Sequence, residues 1–490
     1  MKKIFIVLLL VTGNQYSKAQ NVGIGTDAPS EKLHVAGNIK TDTLKTTGLK
    51  ITPNAATGKI LTSDAAGNAT WQTNTTTGNG SGSAAGNIGY GVWGDCATNG
   101  NISEYQPVAD TAGGGNFQFG ESITMSGNFA AIGNSAEDVA GIVNAGVVSI
   151  YEHNGSQWEF KQKLVDPTGE TNGFFGTSIS MSGNFLIVGS YVDDVGTNVN
   201  QGSVCIFQYN ASNWVFQQKI TDALGETNDY FGYAVSISGN FALIGAYSDD
   251  NGVVNPDRGS VSFYRFNGST WVLVRKYFDP SGGVNDYFGR SVSISGDYAV
   301  AGSYGEDDAE TDQGSITVFK YDGVSNWVSE GKIKEAIPKA YNEFGRYVSN
   351  YESDIAVGIA RHNTNGIITE ANVKLYRRIN GNYTLSKTLF PDNEDDIHLG
   401  FGESLSITGK YLIVGLPSKK VELNSSAGEA LIYQRVGNGW QKLQTVIDPG
   451  NATNGNFGQK VAIDGAIKRF MLATGTSTLL NTKVVFGKIN

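Results

Sequence analysis

The chain has 490 residues, of which 64 are Gly, 23 are Phe and 22 are Tyr, a composition typical of short β-strands joined by tight turns. This length is too great for one ordinary hydrophobic core unless the core is repetitive. The formal net charge is -10 and no run of basic residues occurs, which argues against a nucleic-acid partner.

Residues 1–19 have the pattern of a secretory signal peptide. Met1-Lys2-Lys3 precedes an apolar run from Ile4 to Val11, and Ser17-Lys18-Ala19 offers small residues where a signal peptidase cleaves. The apolar run is shorter than the roughly 20 residues that a membrane span needs. We therefore expect cleavage after Ala19, no transmembrane segment, and a secreted or cell-surface protein.

Residues 20–74 differ in character from the rest of the chain. Short alternating runs such as Val22-Gly23-Ile24 and Leu33-His34-Val35 are broken by Gly and Pro, and large apolar residues are too few to close a core. This segment resembles the shaft-like start of tail-fibre-type surface proteins, which implies a stalk and a homotrimer formed through it. A flexible spacer is the alternative.

Residues 75–100 read as a Gly/Ser-rich linker and lead-in, with Gly78-Asn79-Gly80-Ser81-Gly82-Ser83 near the centre. The two cysteines of the chain are Cys96, in this lead-in, and Cys205. Export permits a disulfide but does not demand one between distant cysteines. We expect both to be free structural thiols, with a Cys96–Cys205 disulfide as the alternative.

Residues 101–490 are governed by a repeat. A Phe-Gly pair recurs at intervals of 56 or 57 residues, which indicates an array of equal supersecondary units. An acidic residue stands nine positions before each Phe, as Asp222 does before Phe231, and an aromatic residue opens most fourth strands. The repeated Phe residues are Phe119, Phe175, Phe231, Phe288, Phe344, Phe401 and Phe457.

One copy shows four short strand patterns, over residues 158–165, 178–181, 185–188 and 203–209, bounded by Gly or Asn. Four antiparallel strands repeated seven times predict an all-β, seven-bladed β-propeller. The last copy lacks a fourth strand, whereas one orphan strand, Ile102 to Val108, precedes the first. We expect this N-terminal strand to close the ring as the outermost strand of the last blade, beside residues 483–489.

The Phe-Gly pair, the strand that follows it, and endings such as Val188-Gly189-Ser190 resemble FG-GAP repeats, the repeats of the integrin alpha propeller. The resemblance covers residues 101–490 and implies a propeller fold. Metal-binding members of that family carry an Asp-rich calcium loop, but the corresponding interval here holds only Ser182-Gly183-Asn184 or its equivalent. Calcium needs six to eight oxygen ligands, so we expect no metal site.

Long polar loops are expected on one face of the ring, because the connections between blades and the loops from second to third strands emerge on the same side. Variable loops on a rigid scaffold are where binding sites usually lie. The expected loops span residues 134–145, 190–201, 246–258, 303–313, 359–371 and 416–427.

Three of these loops combine a Tyr with a following pair of acidic residues. Tyr rings stack on sugars, and carboxylates accept hydrogen bonds from hydroxyl groups or hold a cation loosely. The alternative is that each Asp caps its own turn and keeps the protein soluble. The candidate ligand-binding residues are Tyr191, Asp193, Asp194, Tyr247, Asp249, Asp250, Tyr304, Asp307 and Asp308.

These observations favour a secreted or cell-surface binding and adhesion propeller with a glycan or protein partner. The alternatives are a lectin-like or carbohydrate-active enzyme on the same scaffold, and a purely structural surface protein. No metal-ligand spacing, nucleophile elbow or phosphate-binding glycine loop occurs in a fitting context. We therefore expect a protein that is not an enzyme and has no catalytic residue and no cofactor.

Overall fold

The structure is a computed structural model. It describes residues 105–109, 118–250, 257–359, 371–392, 400–419, 426–448, 455–475 and 483–489 with their side chains, and the backbone of six short strands elsewhere. The chain divides into two compact units, residues 1–96 and 97–490. Among the described residues, no helix is long and apolar enough to cross a membrane.

The first unit contains four short strands. β1 (Val22–Ile24) and β2 (Leu33–Val35) pair in parallel, and β3 (Lys59–Ser63) and β4 (Ala69–Thr73) form an antiparallel hairpin. The predicted signal peptide and the linker of residues 75–100 lie outside the described residues. The roles of residues 20–74 as a stalk and as a trimerisation segment stay predictions.

The described part of the second unit contains seven four-stranded antiparallel sheets, which are the blades of a β-propeller. β5 (Gln106–Ala109) comes first in the chain. Blade 1 contains β6 (Ile123–Ser126), β7 (Phe129–Asn134), β8 (Val147–His153) and β9 (Trp158–Leu164). Blade 2 contains β10 (Ser178–Ser182), β11 (Phe185–Ser190), β12 (Ser203–Tyr209) and β13 (Trp214–Thr221). Blade 3 contains β14 (Phe231–Ser238), β15 (Phe241–Ala246), β16 (Ser260–Phe266) and β17 (Trp271–Phe278).

Blade 4 contains β18 (Ser291–Ser295), β19 (Tyr298–Ser303), β20 (Ser315–Tyr321) and β21 (Trp327–Ile333). Blade 5 contains β22 (Tyr347–Tyr351), β23 (Asp354–Ile359), β26 (Asn372–Ile379) and β27 (Asn382–Leu389), with the small hairpin of β24 (Asn363–Thr364) and β25 (Ile367–Ile368) between β23 and β26. Blade 6 contains β28 (Leu405–Ile407), β29 (Tyr411–Leu416), β30 (Glu429–Val436) and β31 (Gly439–Ile447). Blade 7 contains β32 (Lys460–Asp464), β33 (Arg469–Ala473), β34 (Lys483–Lys488) and β5.

Aromatic residues fill the wedge-shaped spaces between blades. All seven repeated Phe side chains are at most 1% exposed, and Trp214 and Trp271 open the outermost strands of their blades while remaining buried. The Phe231 ring lies in a cluster that joins Ile187 of blade 2 to Ile244 of blade 3. The repeated aromatic positions therefore supply the contacts that hold neighbouring blades together.

The repeated Gly residues mark the closest backbone approach between blades. Gly189, on the second strand of blade 2, lies against Gly232 of the Phe-Gly pair of blade 3, and a Cβ on Gly189 would overlap the Gly232 carbonyl oxygen. Gly232 itself has φ near +90°, a conformation that residues with a Cβ rarely adopt. The same Gly–Gly contact recurs at the next two junctions, Gly245–Gly289 and Gly302–Gly345.

The ring closes as predicted, through the N-terminal strand. β5 pairs antiparallel with β34, so that Val108 lies opposite Val484, and β32 of blade 7 contacts β6 of blade 1. β5 is shorter than the predicted strand over residues 102–108, of which residues 102–104 lie outside the described residues.

The same pair of side-chain hydrogen bonds occurs at three blade junctions, one of which is the junction of blades 7 and 1, which we call the closing seam. The Gln106 side chain donates a hydrogen bond to the Trp158 carbonyl oxygen (2.6 Å) and accepts one from the Trp158 N–H (2.7 Å). Gln162 holds the backbone of Trp214 in the same way, and Gln218 holds that of Trp271. The first strand of the unit thus carries the side chain that the repeat uses between its blades.

Cys205 lies in the core of blade 2 with its thiol buried. Cys96 lies outside the described residues, so its pairing state stays a prediction.

Candidate functional site

The long loops and the connections between blades lie on the same face of the ring, as their hydrogen bonds show. The N–H groups of Asn228, Tyr230 and Phe231 donate to carbonyl oxygens of residues 199–201, in the loop between β11 and β12. We call this side the loop face. The turns between the first and second strands of the blades, such as Ser182-Gly183-Asn184, lie on the opposite side, which we call the hairpin face.

The three predicted tyrosines converge on the loop face. Two further tyrosines, Tyr230 and Tyr287, lie between them, each directly before a Phe-Gly pair and in the left-handed backbone region. Ring centroids are 5.8 Å apart for Tyr191–Tyr230, 5.3 Å for Tyr230–Tyr247, 6.0 Å for Tyr247–Tyr287 and 5.1 Å for Tyr287–Tyr304. These five residues form a continuous series of rings across blades 2 to 4, which we call the tyrosine arc.

A cavity of about 500 Å³ lies beside the tyrosine arc, on the axis of the propeller. Its walls come from the innermost strand of every blade, so it is the mouth of the central channel. Tyr191 lines it directly. Six other lining residues directly follow a Phe-Gly pair: Glu121, Thr177, Tyr233, Arg290, Arg346 and Glu403. Blade 7 adds Lys460.

The channel mouth holds charges of both signs. Burial raises the pKa of Glu121 and of Glu403 above the ordinary carboxyl value. Burial also lowers the pKa of Arg290. The pKa of Lys460 is lowered because protein atoms surround its side chain in the channel, although that side chain is still reached by water. Each charged form is disfavoured because the surrounding blades replace much of its water.

Tyr247 and Tyr304 do not line the cavity themselves, but their rings contact Arg290, which does. The Arg290 guanidinium lies 4.0 Å from the centroid of the Tyr233 ring, 5.2 Å from that of Tyr247 and 6.0 Å from that of Tyr304. Burial raises the pKa of the Tyr247 and Tyr304 hydroxyl groups, so both remain neutral hydrogen-bonding groups at physiological pH.

The predicted acidic residues of the loops lie apart from the channel mouth, and two of them are buried. Asp193 and Asp249 are 2% and 3% exposed. Lys219 Nζ lies 2.7 Å from the Asp193 carboxylate, and Lys276 Nζ lies 2.5 Å from that of Asp249. These two carboxylates therefore fasten their loops to the outermost strands of their blades.

Each of these lysines also pairs with the acidic residue that stands nine positions before a repeated Phe. Lys219 contacts Asp166 at 2.8 Å, and Lys276 contacts Asp222 at 2.5 Å. The Asp222 carboxylate also accepts a hydrogen bond from the Leu224 N–H within its own turn. The regular spacing of this acid is explained by a turn and a buried ion pair that recur from blade to blade.

The remaining acidic candidates lie nearer to solvent and bind within their loops. Asp194 accepts a hydrogen bond from the Asn200 N–H (2.8 Å), and Asp250 accepts one from the Asp257 N–H (2.8 Å). Asp307 accepts one from the Asp312 N–H (2.7 Å). The exposed Asp308 pairs with Lys334 at 2.9 Å.

The loop of residues 303–313 differs from the prediction in which residues form its acidic pair. Glu306, rather than Asp307, corresponds to Asp193: its carbonyl oxygen accepts the hydrogen bond that closes the loop, and its carboxylate pairs with Lys332. The acidic pair of this loop is therefore Glu306-Asp307, not Asp307-Asp308. In all three loops the first acidic residue stands two positions after the Tyr, so this spacing from Tyr304 would have identified Glu306.

No group of three or more His, Cys, Asp and Glu side chains arranged to hold a metal ion occurs within the described ranges. The absence of metal, cofactor and catalytic activity stays an expectation drawn from the sequence.

The fold and the loop face together define a class: a seven-bladed β-propeller with an aromatic and charged channel mouth. The protein-family model described as FG-GAP repeat matches residues 158–207, 214–264 and 271–319. The chain therefore contains FG-GAP repeats folded as a β-propeller.

Two solved structures are similar to this chain. One is a Bacteroides uniformis protein assigned as a 6-phosphogluconolactonase, at 10% identity and a TM-score of 0.42, with 67% of this chain and 85% of that chain covered. The other is Saccharomyces cerevisiae Sqt1, at 12% identity and a TM-score of 0.38, with 75% of this chain and 84% of that chain covered. No curated protein matches the chain.

Proposed function

We propose that this FG-GAP propeller is a binding protein that takes a carbohydrate partner at the channel mouth of its loop face. The observation that carries the proposal is one polar cavity that Tyr191 and Tyr233 line directly, while Tyr247 and Tyr304 pack around its Arg290. Aromatic rings beside convergent polar groups suit sugars, which present apolar ring faces and hydroxyl groups.

The size of the cavity favours a carbohydrate over a protein partner. A volume of about 500 Å³ falls within the range of about 300–1,000 Å³ that is usual for small-ligand sites. A stable protein interface instead buries about 1,200–2,000 Å² of surface in total. The raised pKa values of Glu121 and Glu403 suit groups that exchange hydrogen bonds with hydroxyl groups.

We also propose that the protein acts outside the cell or at the cell surface. The support is the signal-peptide pattern of residues 1–19 and the stalk-like composition of residues 20–74. Light scattering of the secreted protein tests the accompanying prediction of a trimer: a monomeric mass would contradict it.

A glycan array probed with the secreted full-length protein tests the binding function. Tyr191→Ala and Tyr247→Ala should abolish array signals and leave the melting temperature within a few degrees of wild type. Tyr351→Ala is the matched control, because Tyr351 is 39% exposed and ends β22 at the hairpin face. A silent array, or equal loss of signal in all three variants, would contradict the proposal.

A further inference from the structure

Arg290 contacts tyrosine rings rather than a carboxylate. Its guanidinium lies among three tyrosine rings, at 4.0 Å from Tyr233, 5.2 Å from Tyr247 and 6.0 Å from Tyr304. No carboxylate among the described residues lies within ion-pair distance of it. In contrast, Arg346 pairs with Glu343.

Two more cations face the same cavity. The Arg346 guanidinium lies 5.1 Å from the Tyr304 ring, so two guanidinium groups adjoin one tyrosine. Lys460 enters from blade 7 and makes no hydrogen bond or ion pair with a side chain in the described part of the chain. This cluster stands out in a protein whose formal net charge is -10.

The electrostatics of the cluster favour an anion. Arg290 and Arg346 repel each other, as do Arg290 and Lys460, and burial adds to the cost of the charged forms of Arg290 and Lys460. Glu121 and Glu403 interact with Lys460, but the Glu121 carboxylate already accepts a hydrogen bond from Ser135. Arg290 is left with the ring faces, with a hydrogen bond to the neutral Tyr304 hydroxyl group, and with whatever enters the cavity.

A structural role alone accounts poorly for a guanidinium at this position. A cation–π contact contributes about 0.5–1 kcal/mol at exposed sites and about 2 when desolvated, and an uncharged side chain would pack among the same rings without repelling Arg346. The planar guanidinium with five N–H donors is instead the group that best matches a carboxylate or sulfate group.

We propose, building on the carbohydrate-binding function above, that the partner is an acidic sugar whose carboxylate or sulfate group binds Arg290 at the channel mouth. Lys460 provides a second positive charge in the same lumen. Tyr191 and Tyr233 line the cavity where the sugar ring lies, and Glu121 and Glu403 accept hydrogen bonds from its hydroxyl groups.

Titration calorimetry with matched probes tests this assignment on the full-length protein. Trigalacturonate and its methyl ester share a sugar backbone and differ in charge, and 3′-sulfolactose and lactose form the matching sulfate pair. We expect at least one acidic probe to bind ten-fold or more tightly than its neutral counterpart, with an affinity that falls as salt is raised. The pair that shows the difference identifies the anionic group.

Two variants complete the test. Arg290→Met should weaken acidic-probe binding at least ten-fold and leave neutral-probe binding unchanged. Arg265→Met is the matched control, since Arg265 also lies over two aromatic rings, Phe241 and Tyr321, but at the hairpin face. It should bind as wild type does. The melting temperature of the wild-type protein tests the proposal without a variant: it should rise with the acidic probe and not with its neutral counterpart.

The two proposals fail in different ways. Tyr191-dependent binding of a glycan with equal affinity for acidic and neutral probes, or with no effect of Arg290→Met, would overturn the acidic-sugar assignment and leave carbohydrate binding intact. An absence of binding to every array glycan and every probe would overturn both.

Discussion

The buried ion pairs of the loop face lead to a prediction about Lys276. Its Nζ lies 2.5 Å from carboxylate oxygens of both Asp222 and Asp249, and the three side chains are 11%, 8% and 4% exposed. Burial alone would lower the pKa of Lys276, but Asp249 and Asp222 outweigh it and raise the pKa. The two carboxylates therefore stabilise the charged form of Lys276 inside blade 3.

Lys276→Met should lower the free energy of unfolding by about 3–5 kcal/mol, the usual cost of leaving buried charge uncompensated. Here two carboxylates lose their cationic partner at once, while Asp222 keeps the hydrogen bond from the Leu224 N–H and Asp249 keeps the one from the Ser260 hydroxyl group. The additional substitutions Asp222→Asn and Asp249→Asn remove those charges and should restore part of the loss. Lys161→Met is the control, because Lys161 pairs with Glu152 where both side chains are about one-third exposed; its effect should stay within about 1 kcal/mol.

Urea unfolding followed by Trp fluorescence measures these differences. An unchanged midpoint for Lys276→Met, or a further loss of stability in the triple variant, would refute the view that Asp249 is a structural residue. It would return Asp249 to the set of ligand-binding candidates.

Three further predictions concern the ring itself. Gln106→Ala removes two hydrogen bonds at the closing seam, worth about 0.5–1.5 kcal/mol each. Urea unfolding should show a loss of stability at least as large as for Gln162→Ala. An unchanged stability of Gln106→Ala would argue against closure of the ring by β5. Gly232→Ala should lower the stability more than Gly239→Ala in the same assay, because both glycines have positive φ but only Gly232 lies against another blade. The left-handed backbone alone costs about 1–2 kcal/mol. Equal losses of stability would contradict the close approach of the two backbones. Burial raises the pKa of Asp229 to about 7, against about 3.9 in an unfolded chain. The folded state thus binds this proton more tightly, so stability should rise as pH falls from 8 towards 5; Asp229→Asn should reduce the pH dependence of the melting temperature, and an unaltered profile would contradict the shift.

The blade count and the mode of closure could be predicted because every blade meets the same physical demands. Each needs a buried Phe between wedge-shaped sheets and a Gly where two backbones meet, as at Phe231 and Gly189, so the pattern repeats along the sequence. The orphan strand could be placed because the last copy lacked one. The Gln side chains that bind the Trp backbone could also have been predicted, since Gln106 and Gln162 stand 56 residues apart, but this signal was not used.

The channel charges could not be predicted, because the residue after the Phe-Gly pair differs from blade to blade. Glu121, Thr177, Tyr233, Arg290 and Glu403 occupy the same position of the repeat, but they differ in charge and size, so no chemical motif marks them as the lining of one cavity. Only the closed ring brings them together. Tyr191, Tyr247 and Tyr304 were identified because they recur in adjacent copies, whereas Tyr230, Tyr233 and Tyr287 were missed.

The acidic loop residues were predicted as a group, but their separate roles depend on burial. In the sequence Asp249 and Asp250 are equivalent neighbours. In the fold Asp249 lies beneath the loop against Lys276, while Asp250 accepts a hydrogen bond from the Asp257 N–H nearer to the surface. The polarity of a loop therefore does not distinguish residues that support the loop from residues available to a ligand.

A crystal structure of the full-length protein soaked with trigalacturonate or 3′-sulfolactose, whichever binds more tightly, tests the binding site most directly. The account predicts electron density for a sugar at the axis of the loop face, with its anionic group within hydrogen-bond distance of the Arg290 guanidinium and its ring against Tyr191 or Tyr233. Sugar density found only on the hairpin face or on the outermost strands would contradict it.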